Sequence, residues 1–146
     1  MNSPYLISRD RLVSASPDAV FDLLARPAMH SVIDGSGTVR AAHPSGPDRL
    51  APGARFGMDM KMGVPYKISN TVTEFEEGRR IAWRHSGGHV WRYLLEPADG
   101  GTLVTEQWDA RNVRHRVMYR ITGVTRRHPA NLEQTLEKLA AHFSAK

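Results

Sequence analysis

The sequence predicts an α+β fold: a curved, seven-stranded antiparallel sheet around a long C-terminal helix, with two short helices after the first strand. Three observations predict it. Phe56, Met58, Met60 and Met62 alternate with Gly57, Asp59 and Lys61, a period of two that belongs to a strand. Short turns at Gly63-Val64-Pro65, Glu77-Gly78, Ser86-Gly87-Gly88 and Ala98-Asp99-Gly100-Gly101 make the strands of the middle region antiparallel neighbours. Leu132, Leu136, Leu139 and Phe143 recur at steps of four, three and four, a helical stripe that needs an apolar surface to cover.

Each element has its own local reason. Residues 5–13 read as a first strand in which Tyr5, Ile7, Arg9 and Arg11 alternate with Leu6, Ser8, Asp10 and Leu12. Neither side is cleanly apolar, which suits a sheet edge. Ser16 then caps a helix, Pro17 fits its first position and Asp18 complements its positive end. Val20, Phe21, Leu23 and Leu24 form its buried stripe until Arg26-Pro27 stops it. A further turn of helix holds Met29, Val32 and Ile33, and Gly35-Ser36-Gly37 breaks it.

The second strand covers 38–42, and a Pro- and Gly-rich loop over 44–53 leads to the third. Tyr66, Ile68, Asn70 and Val72 share one side of the fourth strand; Ile81, Trp83 and His85 share one side of the fifth. Trp91, Tyr93 and Leu95 do so in the sixth, and the seventh runs over 102–109. Pro129 opens the last helix. Before it, Val113, Val117, Ile121 and Val124 suggest a shorter helix or a lid.

Turn lengths set a trial register. A three-residue loop at 63–65 pairs Met58 with Asn70 and Phe56 with Val72. A two-residue loop at 77–78 pairs Val72 with Trp83 and Asn70 with His85; a three-residue loop at 86–88 sets His85 opposite His89 and Trp83 opposite Trp91. A slip of one residue would turn a whole strand over, so agreement between loops and apolar sides is a test. The sixth-to-seventh hairpin leaves two solutions, with either Glu106 and Trp108 or Thr105 and Gln107 inward; Glu106 is the preferred one.

Composition narrows the function. The 146 residues are 40% hydrophobic and 24% charged, as in an ordinary soluble domain, and no repeat or long linker divides them. There is no cysteine, which removes disulfides and thiolate metal sites and agrees with a cytoplasmic location. No secretion signal and no bilayer-spanning run is evident. The net charge of +5 raises an anionic partner, and much of the excess sits in Arg111, Arg114, Arg116, Arg120, Arg126 and Arg127. The plain reading of that cluster is a solvated face. With no RNP pattern, zinc-finger spacing or phosphate loop beside it, nucleic acid is disfavoured.

The order of elements resembles the START/Bet v 1-like (SRPBCC) superfamily and, within it, the polyketide cyclase/dehydrase-like group. The resemblance is carried by Ala15-Ser16-Pro17-Asp18-Ala19-Val20-Phe21, Pro52-Gly53-Ala54-Arg55-Phe56 and Pro65-Tyr66-Lys67-Ile68. Glu74-Phe75-Glu76-Glu77-Gly78-Arg79-Arg80-Ile81-Ala82-Trp83, Trp91-Arg92-Tyr93 and Gly100-Gly101-Thr102 extend it over most of the chain, 111–127 being the least typical stretch. It implies a helix-grip fold in a single domain over 1–146, with a hydrophobic cavity for a lipid, polyketide or similar molecule. Fold alone does not decide between carrier, enzyme and interaction module.

Within such a cavity the ligand-lining candidates are Phe56, Met58, Met60, Tyr66, Ile68, Val72, Trp83, Trp91, Trp108, Leu132 and Leu136. Thioethers and flat rings suit an irregular or planar guest, although the same residues at strand spacing also build a plain core. The catalytic candidates are His85, Asn70, Tyr93 and Glu106. Asn70 opposite His85 would orient an imidazole able to exchange a proton with a carbonyl or hydroxyl, with Tyr93 and Glu106 as further donors. A hydrogen-bonded histidine in a polar layer is the plainer alternative. His85 and His89 lack a third ligand at metal spacing, so no metal and no cofactor is expected. His30, His43, His115, His128 and His142 read as surface or loop residues. The expected partner is a small hydrophobic ligand, with a homodimer an allowed state; a basic module docking an acidic protein or nucleic acid through 111–127 is the other alternative.

Overall fold

The computed structural model describes residues 3–34, 39–42, 46–62 and 64–144, leaving the side chains of 39–42, 58–62 and 64–68 outside the description. The expected Gly35–Gly37 break, Thr38, His43, the start of the 44–53 loop and Gly63 therefore lie outside the described residues.

The chain runs β1 (Leu6–Val13), α1 (Pro17–Leu24), a 3-10 turn (Pro27–Met29), α2 (His30–Ile33), β2 (Val39–Ala42), β3 (Arg55–Met62) and β4 (Val64–Glu76). It continues through β5 (Arg80–His85), β6 (Val90–Ala98), β7 (Gly101–Asp109), α3 (Val117–Ile121) and α4 (Val124–Ser144). The seven strands form one antiparallel sheet in the order β1-β7-β6-β5-β4-β3-β2. β1 and β2 are its edges. The mixed polarity that points β1 to an edge has a use there, because inward Arg9 reaches Glu133 of α4 at 3.0 Å.

Local chemistry explains the boundaries. Ser16 Oγ accepts from the Ala19 amide at 3.2 Å, and Pro17 occupies the first turn of α1. Val20, Phe21, Leu23 and Leu24 are all buried against the sheet. Pro129, in contrast, does not open the last helix but lies inside it, five residues after the start at Val124. Gly123, with φ 83, supplies the break from α3, so the helix can begin there. Pro129 costs it the bond to the Thr125 carbonyl, and burial of Leu132, Leu136 and Leu139 outweighs that loss.

The register departs from the turn-based one in two places. Phe56 pairs with Asn70, not with Val72, a shift of two residues that keeps every side chain on its side. Glu76 pairs with Arg80 across a three-residue turn, and a bulge at Thr73 then restores Val72 opposite Trp83 and Asn70 opposite His85. Trp83 lies opposite Trp91, and Trp91 opposite Trp108. Tyr93 faces Glu106, which resolves the two-fold choice in the last hairpin in favour of Glu106 inward.

The concave side and the helices enclose a core in two parts. The larger joins α1 and Leu136 and Leu139 of α4 to Phe56, Val72, Trp83, Tyr93 and Val104. The smaller, at the other end of α4, joins Leu132 to Ile7, Trp108, Ala110 and Val113. Trp91 packs against both.

Candidate functional site

The inward row of β7 is Thr102, Val104, Glu106 and Trp108, all buried. An alternating strand that faces a core would normally be apolar here, so Glu106 is the anomaly. The Tyr93 hydroxyl donates to Glu106 Oε2 at 2.6 Å. Burial pushes the Glu106 carboxyl up to about 8, and the nearby Asp34 charge adds to this, against the lowering effect of the Tyr93 bond. Near neutral pH the group is therefore mostly a neutral acid. With Oε2 engaged by Tyr93, its proton belongs on Oε1. Burial first, then the Glu106 charge, hold the Tyr93 phenol well above its ordinary value.

Three inward polar atoms are buried without a hydrogen-bond partner among the described residues: Glu106 Oε1, Asn70 Oδ1 and Trp108 Nε1. Each costs about 1–3 kcal/mol in a folded interior. The interior is closed to water at these atoms, so the expected cavity is not open beside them. A groove of about 250 Å3 lies elsewhere, on the outward side of α4, lined by Gln134, Glu137, Lys138 and Ala141. Its exposed lining has none of the groups singled out above.

His85 is placed differently from the expectation. It is opposite Asn70 in backbone register, but its Nδ1 accepts from the Gly87 amide at 2.7 Å and its ring stacks on His89 at 4.3 Å. Its orientation is thus set by its own turn, not by Asn70. His89 in turn lies 3.2 Å from the Tyr119 hydroxyl of α3 and 5.9 Å from the Trp108 ring. Burial lowers His85, and burial together with the charges of His85 and His128 takes His89 to about 3.

His30 and His128 correct the surface reading. His30 is buried, Nε2 donates to the Leu24 carbonyl at 2.9 Å, and the ring stacks on Trp83 at 4.7 Å. Burial takes it to about 4 despite that bond. His128 packs edge-on against Trp108 at 4.8 Å and Trp91 at 5.4 Å, and burial takes it to about 4. A local signal for His30 did exist: it shares a helix side with Ile33, three residues on, which is also buried.

Of the ligand-lining candidates, Phe56, Val72, Trp83, Trp108, Leu132 and Leu136 are buried on the inward side, and Trp91 is partly so. Met58, Met60, Tyr66 and Ile68 have side chains outside the described residues. Among the described residues no group of three or more His, Asp or Glu could hold a metal ion, and no helix is long and apolar enough to cross a membrane.

The model of a family described as polyketide cyclase/dehydrase and lipid transport matches residues 6–144. The chain belongs to this family. Uncharacterized protein Rv0088 of Mycobacterium tuberculosis is 34% identical over 147 residues, which is 97% of this chain and 65% of that protein. The chain thus spans just under two thirds of the length of that family relative. Protein CV1439 of Chromobacterium violaceum shares the fold at a TM-score of 0.70 and 18% identity, covering 97% of this chain and 98% of its own. The Aha1 dimer of Colwellia psychrerythraea does so at 0.65 and 14%, covering 94% and 95%. Within the described interior of this chain, Glu106 and Tyr93 form a buried, hydrogen-bonded pair of ionisable side chains.

Proposed function

We propose that this chain is a single-domain binder of a small hydrophobic molecule bearing hydrogen-bonding groups, held between the concave side of the sheet and α4. The observation that carries the reading is the set of three buried polar atoms without a partner among the described residues, Glu106 Oε1, Asn70 Oδ1 and Trp108 Nε1. A guest that opens the interior and bonds to them recovers free energy that the packed state forgoes. Trp83, Trp91, Phe56 and Leu136 supply the apolar walls for a lipid, polyketide or aromatic metabolite. Membership of a polyketide cyclase/dehydrase and lipid transport family supports this class of guest. Lack of cysteine agrees with action in the cytoplasm.

A second reading is a cyclase or dehydrase, and the near-neutral Glu106 favours it. An acid held near pH 8 beside Tyr93 suits proton donation to a carbonyl oxygen as enolisation begins. His85, bound to its own turn, is the weaker donor in that arrangement.

Mass spectrometry of small molecules that co-purify with the chain names the guest. Resupplied at 100 times its Kd, it stabilises the fold by about 2.7 kcal/mol, read as a rise in melting temperature. Glu106→Leu loses most of that rise, and any turnover of the guest falls with it. A rise undiminished in Glu106→Leu and in Asn70→Leu, or no guest from lipid and polyketide pools, removes the interior as the site.

A further inference from the structure

The segment after β7 carries two features that the interior does not explain. From 110 to 132 there is no Asp or Glu, while Arg111, Arg114, Arg116, Arg120, Arg126 and Arg127 fall within it. Arg111 is engaged by Asp109 at 2.8 Å, and Arg116 lies over the Tyr5 ring. Among the described residues, no ion pair is recorded for Arg114, Arg120, Arg126 or Arg127, all exposed. In the midst of these charges, α3 turns apolar side chains outward: Val117 is 56% exposed, Met118 51% and Ile121 69%.

At about 100° per residue these three occupy one side of the helix, while Tyr119 points the opposite way, onto His89 and Trp108. The inward side of α3 is thus spent on closing the domain and its outward side is free. An exposed tip of Val117, Met118 and Ile121 offers none of the stacking rings that single-stranded nucleic acid uses beside its cations. It matches the edge of a bilayer, where acyl chains take the tip and phosphates take the arginines.

We propose that α3 and its flanking arginines form a docking surface for an anionic lipid bilayer, with Val117, Met118 and Ile121 entering the interface and Arg114, Arg120, Arg126 and Arg127 meeting headgroup phosphates. The surface works whatever the interior holds, so its test is separate from that of the bound guest.

The test is co-sedimentation of the full chain with vesicles of phosphatidylglycerol and phosphatidylcholine, set against phosphatidylcholine alone. The chain partitions to the anionic vesicles and releases as salt is raised from about 50 to about 500 mM. Arg114→Ser with Arg120→Ser lowers the partition coefficient roughly thirtyfold. Val117→Ser with Ile121→Ser also lowers it, and circular dichroism confirms that both variants stay folded. Equal binding to neutral vesicles, no binding to either, or binding that the Val117 and Ile121 changes leave intact overturns the proposal. So does a homodimer that those same changes dissociate, since the apolar tip would then be covered by a second copy.

Discussion

At the side chain of Glu106, one oxygen accepts from Tyr93 and the other has no partner among the described residues, so ionisation would leave a buried negative charge with a single such donor. That is why the carboxyl is held up to about 8 from an ordinary 4.5. The sign of its linkage follows. Between those values the folded chain keeps a proton that the unfolded chain has released, so stability falls as pH rises through that window. Glu106→Gln preserves the shape and removes the titration. Above the range in which the histidines of the unfolded chain titrate, the wild-type denaturation midpoint is expected to fall from about pH 7 to about pH 8.5, and that of the variant to change much less. Parallel falls in both proteins would mean that Glu106 ionises freely in the folded state. His30 shows the converse case, a base kept neutral by burial, with the Leu24 carbonyl selecting its tautomer.

Among the elements, β7 is the one on which the site depends, because it holds Glu106 and Trp108 and pairs with both β1 and β6. Its start is set by Gly101, whose φ of 151 lies where side chains are disfavoured, and a Cβ there would collide with the Val13 carbonyl oxygen. Gly101→Ala must therefore move the β1 end or the hairpin, at a cost of at least about 2 kcal/mol. Urea denaturation measures it, and a loss under half that size would show that the turn yields cheaply. The Thr73 bulge works in the same way on β4. It absorbs the extra residue of the 77–79 turn, so that Val72 and Asn70 still face inward. Without it, the acceptor at Asn70 would point to solvent.

For the whole molecule, acid stability is governed by bases buried or half-buried in both halves of the core. His30 near 4, His89 near 3 and His128 near 4 all lie below the 6.5 of an exposed imidazole. As pH falls from 6.5 toward 4, the unfolded chain gains three protons that the folded chain refuses, so stability falls. Glu106 works in the opposite direction over part of that range, but with one proton against three. The histidines win. Denaturation midpoints are expected to drop steadily from pH 6.5 to pH 4.5, and His128→Phe is expected to shallow the slope. A slope unchanged in that variant would place His128 in solvent. The same clustering ties α3 and α4 to the open end of the sheet, since His89 meets Tyr119 and His128 meets Trp91 and Trp108.

Much of the architecture was legible in the chain because its signals are local. Period-two alternation, the Ser16-Pro17 start, the Leu132 to Leu139 stripe and the short turns each act within a few residues, and they led to seven strands around one helix. The pair Trp83–Trp91 followed from turn length alone, whereas Asn70–His85 holds only because the Thr73 bulge offsets a 77–79 turn one residue longer than expected. What lay beyond reach depends on contacts far apart in sequence. The inward choice of Glu106 is made where β7 pairs with β6 and β1 together, and its raised carboxyl comes from the burial that all elements create jointly, with the Asp34 charge adding to it against the Tyr93 bond. His30 is interior because Trp83, more than fifty residues on, lies against its ring. Periodicity tells which side of an element is turned inward, whereas desolvation and unmet hydrogen bonds are properties of the filled interior, and only the assembled fold decides them.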